Sequence, residues 1–155
     1  MPPSPLPRRE AAVGRPADGR PRLPRIRVGT DVIAIARIEE LTLADPGFRE
    51  QVFTAREWAY CRRRRHPGVH LAARFAAKEA VLKALGTGMG PRMEWTDIEV
   101  VNDVAGRPRA RLYGEVAATA TRLGMQQLDI SMTHSAGLAM AQALLVCTPE
   151  GENES

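Results

Sequence analysis

The run from Val69 to Leu85 constrains the fold of this chain more than any other segment. Leu71, Phe75, Leu82 and Leu85, filled in by Ala72, Ala73, Ala76, Ala77, Ala80 and Ala84, make the strongest helix signal in the sequence. Gly86 ends it, as a glycine does just past a helix C-terminus. Of the 22 basic side chains, all but Lys78 and Lys83 are arginine, and both lysines lie on this helix. An ammonium is a compact, mobile charge that can also give up a proton, whereas a guanidinium is planar and stays protonated. Chance placement on an exposed helix is the plain alternative to a chemical role for these two.

The composition allows one soluble domain: 155 residues, 44% hydrophobic, with no apolar stretch near the roughly 18 residues of a membrane span. The Pro/Arg-rich start lacks the apolar stretch of a signal peptide, so a cytoplasmic protein without a membrane partner is expected. Cys61 and Cys147 lie far apart with no metal-type spacing and read as reduced, structural thiols. A net charge of +4 invites a nucleic-acid partner, but residues 1–25 account for all of it, with six arginines against Glu10 and Asp18. The remainder is neutral, which argues against nucleic acid. Seven prolines and few aliphatic residues make 1–25 a disordered tail by expectation, and the acidic end, 148–155, reads the same way.

Ile26, Val28, Thr30 and Val32 alternate with Arg27, Gly29 and Asp31, the pattern of a strand with one apolar face. Ile35, Ile38 and Leu41 then recur at helical spacing until Asp45-Pro46-Gly47 breaks the run. Thr54-Ala55-Arg56-Glu57 is a capping-box pattern opening a second helix that ends by Pro67-Gly68. After the long helix, Ile98–Val101 and Arg109–Tyr113 flank a turn-rich segment and predict a hairpin. A helix over Glu115–Leu123 and a second hairpin, Leu128–Thr133 with Leu138–Val146, complete the order. One strand, three helices, a hairpin, a helix and a hairpin predict an α+β fold with an antiparallel sheet.

Several residues suit phosphate chemistry. Glu79 and Lys83, like Arg74 and Lys78, are one helical turn apart, which as an isolated fact describes many surface ion pairs. The helix runs into Gly86-Thr87-Gly88-Met89-Gly90, a loop in which backbone amides can come close to a phosphate; as a bland alternative it only terminates the helix. Asp31, at the end of its strand, is a turn residue or, paired in space with Glu79, one of two hard oxygen ligands of the kind magnesium takes. His134, in Ser131-Met132-Thr133-His134-Ser135, can address a phosphate or a proton, or be structural. His66 and His70 flank Pro67-Gly68 and are given no chemistry.

Taken together, Gly29-Thr30-Asp31, Phe53-Thr54 with Glu57, Arg74-Phe75-Ala76-Ala77-Lys78-Glu79-Ala80 with Lys83, Ala84-Leu85-Gly86-Thr87-Gly88, Trp95 to Val100 and Ser131 to Ser135 resemble the bacterial holo-acyl-carrier-protein synthases. The resemblance spans about residues 26–146. Thr30 departs from the family's usual isoleucine, and Leu138 from its frequent tyrosine. The resemblance implies a 4'-phosphopantetheinyl transferase fold over 26–147, an antiparallel sheet with a long helix, and a homotrimer. It implies coenzyme A as substrate, an acyl carrier protein as partner and Mg2+ held by Asp31 and Glu79, with Lys83 near the pyrophosphate. Arg74, Lys78, Gly86, Thr87, Gly88 and His134 would then surround the coenzyme A nucleotide and its phosphates. Arg37 would meet the acidic helix of the carrier protein, a surface that can be extended to Arg49, Arg56 and Arg62 to Arg65. The carrier's serine would be the nucleophile, with a water on the metal or Glu79 taking its proton. A rival reading is a non-catalytic basic module that binds an acidic protein or nucleic acid through the arginine-rich tail.

Overall fold

The computed structural model describes residues 22–149. The tails expected over 1–25 and 148–155 fall mostly outside that range, and Arg25, assigned to the first tail, is the first residue of a strand. The elements are β1 (Arg25–Ala34), α1 (Ile35–Ala44), α2 (Pro46–Val52), α3 (Ala55–Arg62), α4 (Pro67–Leu85), β2 (Ile98–Asn102), β3 (Pro108–Leu112), α5 (Gly114–Arg122), β4 (Met125–Ser135) and β5 (Leu138–Cys147), with a 3-10 turn at Trp95–Asp97. The α+β class and the two hairpins match expectation. The strands form two antiparallel sheets, one of order β1-β5-β4 and the separate β2-β3 pair.

The sequence reading missed α2. Asp45-Pro46-Gly47 does end α1, but the Asp45 side chain also accepts a hydrogen bond from the Gly47 N–H at 2.9 Å, and Pro46 takes the first helical turn. The residues that break one helix therefore cap the next. The capping box at Thr54 and Glu57 forms as expected.

Helix α4 lies across the inner face of the three-stranded sheet. Ala141, Ala143 and Leu145 of β5 share a buried cluster with Ala76, Ala77, Ala80 and Ala84 of α4, and Ala139 shares one with Ala72 and Ala73. Small side chains on both surfaces let helix and sheet approach closely. Contact is closest at Gly29, where a Cβ would overlap the Ala80 carbonyl oxygen and come within 2.6 Å of the Ala84 nitrogen. Only glycine fits there.

The strand pattern of β1 is present, yet its faces are used in an unusual sense. The face packed on α4 carries Arg27, Gly29, Asp31 and Ile33, while Ile26, Val28 and Val32 point outward and are 52–55% exposed. Leu138, Met140 and Leu144 of β5 lie on the same outer face, also exposed. An antiparallel sheet with one solvated face ordinarily shows polar residues there.

Candidate active site

The close β1–α4 approach places Asp31, two residues beyond Gly29, over the face of α4 that carries Glu79 and Lys83. Lys83 Nζ donates to Asp31 Oδ1 at 3.0 Å and to the Thr30 carbonyl at 3.1 Å. Burial raises the pKa of the Glu79 carboxyl; the neighbouring Asp31 raises it further, and Lys83 pulls it down. Two partly exposed carboxylates thus converge beside one ammonium where β1 crosses α4. No cluster of three or more His, Cys, Asp or Glu side chains suited to a metal occurs among the described residues, so a cation here would rest on this pair. Two hard oxygen donors on partly exposed side chains fit Mg2+, which commonly takes one or two carboxylates and completes its shell with water and phosphate oxygens.

A second station lies on another face of α4. Arg74 is 1% exposed, and no carboxylate lies within ion-pairing distance of it among the described residues. Its Nη2 donates to Asn102 Oδ1 at 2.8 Å, its guanidinium lies over the Tyr60 ring, and its Nε has no partner. It lines a cavity of about 430 Å³ between α3, α4 and the β2-β3 hairpin, together with Arg56, Tyr60, Arg64, Asn102 and Arg111. A buried cation without a counter-charge is unfavourable by several kcal/mol, so this cavity is suited to an anion.

Lys78, expected around the nucleotide, lies in the interior and lines neither station. It is 0% exposed; its ammonium donates to Glu57 Oε1 at 2.7 Å, to the Val52 carbonyl and to the Trp95 carbonyl at 3.2 Å. Burial lowers its pKa, against the pull of Glu57. Three acceptors use all three ammonium hydrogens, which leaves none for a ligand. Glu57 in turn accepts from the Thr54 and Val100 N–H groups. The capping carboxylate thereby ties α3 to β2 and α4, a role the T-x-x-E pattern does not disclose.

The other expected residues are spread around these stations. Gly86 (φ 79°), Thr87 and Gly88 (φ 56°) are exposed at the exit of α4. The Arg27 guanidinium holds that exit, donating to the Ala84 and Leu85 carbonyls at 2.7 and 3.0 Å. His134 lies exposed within β4, opposite Ala139, and acts electrostatically on His70. Arg37 is exposed on α1. Sequence reasoning did not find Tyr60, Asn102 or Arg111, and it assigned Arg56 and Arg64 to the carrier surface. Asn102 is 28 positions from Arg74, so no local spacing rule connects them.

The family model of the 4'-phosphopantetheinyl transferase superfamily matches residues 27–143, which include the cleft and all the cavity-lining residues. The chain belongs to that superfamily, in its holo-[acyl-carrier-protein] synthase branch. A holo-[acyl-carrier-protein] synthase of Moorella thermoacetica is 44% identical over 120 residues, covering 77% of this chain and 93% of that one. Among solved structures, the Chronobacterium ammoniagenes ACPS–CoA complex aligns with a TM-score of 0.69 at 36% identity, covering 81% of this chain and 99% of that one. The Helicobacter pylori holo-[acyl-carrier-protein] synthase in complex with coenzyme A aligns at 0.66 and 29% identity, covering 76% and 98%. These synthases share with this chain the whole body of the fold.

Proposed function

We propose that this synthase-family chain transfers the 4'-phosphopantetheine moiety of coenzyme A to a serine of an apo-acyl carrier protein, giving the holo-carrier and adenosine 3',5'-bisphosphate. The observation that carries the reading is the pairing of two stations on one helix. The carboxylate-and-lysine group of Asp31, Glu79 and Lys83 occupies one face of α4, and a basic cavity around Arg74, which has no carboxylate partner among the described residues, lies at another. A nucleotide substrate that must be both anchored and cleaved needs such a pair. The curated relatives carry the synthase name, and two solved neighbours are coenzyme A complexes, which supports the same substrates here.

Arg74, with Arg56 and Arg64 at the cavity wall, takes the nucleotide end of coenzyme A, and its phosphates provide the counter-charge that Arg74 lacks. Gly86, Thr87 and Gly88, at the exit of α4 beyond Lys83, offer backbone amides to a phosphate, with His134 as a further phosphate partner. Asp31 and Glu79 are the residues to hold Mg2+, which when bound supplies a hard Lewis acid that offsets phosphate charge. Lys83 stabilises or protonates the departing phosphate. The carrier's serine Oγ forms its bond to the phosphorus of the pantetheine-linked phosphate as the bond to the bridging oxygen breaks. The serine proton passes to Glu79 or to a water beside it.

The transferase unit is taken as residues 26–147, acting in the cytoplasm on acyl carrier proteins. No helix among the described residues is long and apolar enough to cross a membrane. The exposed apolar face of β1 and β5 supports a homotrimer in which further copies of the chain cover Val28, Val32 and Met140. Sedimentation should give a trimeric mass, and a monomeric mass would remove that part of the reading. The transfer itself is tested by mass spectrometry of an apo-acyl carrier protein incubated with the chain, coenzyme A and magnesium, with and without a chelator. Gain of one phosphopantetheine, abolished by the chelator, is the expected result. No gain with several carriers would refute it.

A further inference from the structure

One aromatic ring organises the basic cavity. The guanidinium carbons of Arg64 and Arg74 lie 4.0 and 4.3 Å from the centroid of Tyr60, which itself lines the cavity. Two cations this near a common ring repel each other, and the negative π face offsets part of that repulsion. The Tyr60 hydroxyl makes no hydrogen bond among the described residues, so the ring, not the phenol, makes the contacts. The His70 ring meets Tyr60 edge-on at 6.1 Å and restricts the plane it can adopt. Arg74 meanwhile keeps its Nε unpartnered at 1% exposure, whereas Arg64 stands exposed.

We propose that Tyr60 is a positioning residue that presents the Arg64 and Arg74 guanidinium groups together to a phosphate in the α3–α4 cavity, and so sets the affinity for the nucleotide half of coenzyme A. The inference rests on the nucleotide reading of that cavity. The alternative, that the ring only fills space between α3 and α4, predicts the same fold but no link to phosphate affinity. Preorganisation by the ring removes an ordering step from binding: both side chains are held near their bound arrangement before the ligand arrives.

The test is calorimetric titration of adenosine 3',5'-bisphosphate into the full chain at fixed salt, for the unaltered chain and for Tyr60→Phe, Tyr60→Leu and Arg64→Ala. Tyr60→Phe keeps the ring and should bind within about twofold of the unaltered chain. Tyr60→Leu should bind roughly tenfold more weakly, and Arg64→Ala about threefold. In turnover assays the Tyr60→Leu loss should fall on KM for coenzyme A more than on kcat, a split that general loosening of the core would not produce. Unchanged affinity in Tyr60→Leu overturns the proposal, as does an equal loss in Tyr60→Phe. Should Tyr60→Leu fail to fold, unchanged affinity in the exposed Arg64→Ala variant overturns it instead. Absence of binding by the unaltered chain refutes the nucleotide reading itself, a separate failure.

Discussion

The chain's two lysines stand five residues apart on one helix and end in opposite environments. Lys78 is sealed between α2, α3 and the 3-10 turn, its side chain 0% exposed and its hydrogens committed to Glu57 and two carbonyls. Lys83 is 52% exposed in the β1–α4 cleft, bonded to Asp31 and the Thr30 carbonyl. Five residues turn an α-helix by about 140° beyond a full revolution, enough to carry one ammonium into the interior and the other to the cleft. Lys78 seats the helix; Lys83 is free to meet a substrate. The same charge, nearly adjacent in sequence, is structural in one place and available for chemistry in the other.

Substitution of each lysine breaks the comparison most directly. Lys78→Met leaves Glu57 charged and buried without its cation, and should destabilise the fold by about 3–5 kcal/mol in urea unfolding. A stability unchanged from the parent would refute the seating role. Lys83→Met should lose roughly a hundredfold or more in carrier-protein modification, while its unfolding free energy stays within about 1 kcal/mol of the parent. If Lys83→Met were instead destabilised by several kcal/mol while its folded fraction kept full activity, the two roles would be reversed.

A smaller effect sharpens the comparison at the cleft. Gly29→Ala sets a methyl against the Ala80 carbonyl and must push β1 from α4, at about 1–3 kcal/mol. Because Asp31 rides on the same strand, turnover should fall in parallel; loss of stability with turnover intact would show that the approach of β1 does not set the Asp31–Glu79 geometry.

The smallest expected effect concerns the interior side. Burial, Arg74 and Arg64 lower the pKa of His70 below its ordinary value of about 6.5. Between that value and the lower folded one, the unfolded chain binds more protons, so this group makes the fold lose stability as pH drops below about 6.5. His70→Asn should flatten that decline by roughly a degree or two in Tm between pH 7.5 and 5.5. An unchanged slope would assign the decline to other groups.

Much of this architecture was legible locally. The long helix and its Gly86 stop, the capping box at Thr54, both hairpins and the pattern of β1 follow from periodicity and turn chemistry acting over a few residues. The missed α2 shows the limit of reading a breaker in one direction, since Asp45 both closes α1 and caps its successor. The site was half legible: Glu79 and Lys83 share a helix face by spacing, whereas the pairing of Asp31 with Glu79 was one of two open readings, since no local spacing joins residues 48 positions apart. The partners of Arg74 and Lys78 were not legible, because Asn102, Tyr60, Glu57 and Trp95 come from other elements.

The sequence by itself determined most of the helices and strands, α2 apart, and where the reactive side chains sit along them, because those preferences depend on neighbours within a turn. It also determined the family, through motifs whose order no single spacing explains. Only the tertiary structure decided which face of β1 meets α4, which lysine is buried, and that Arg74 lacks a counter-charge. Each of these depends on which side of a helix or strand is covered by residues distant in the chain. Periodicity defines a face, but packing decides what it faces.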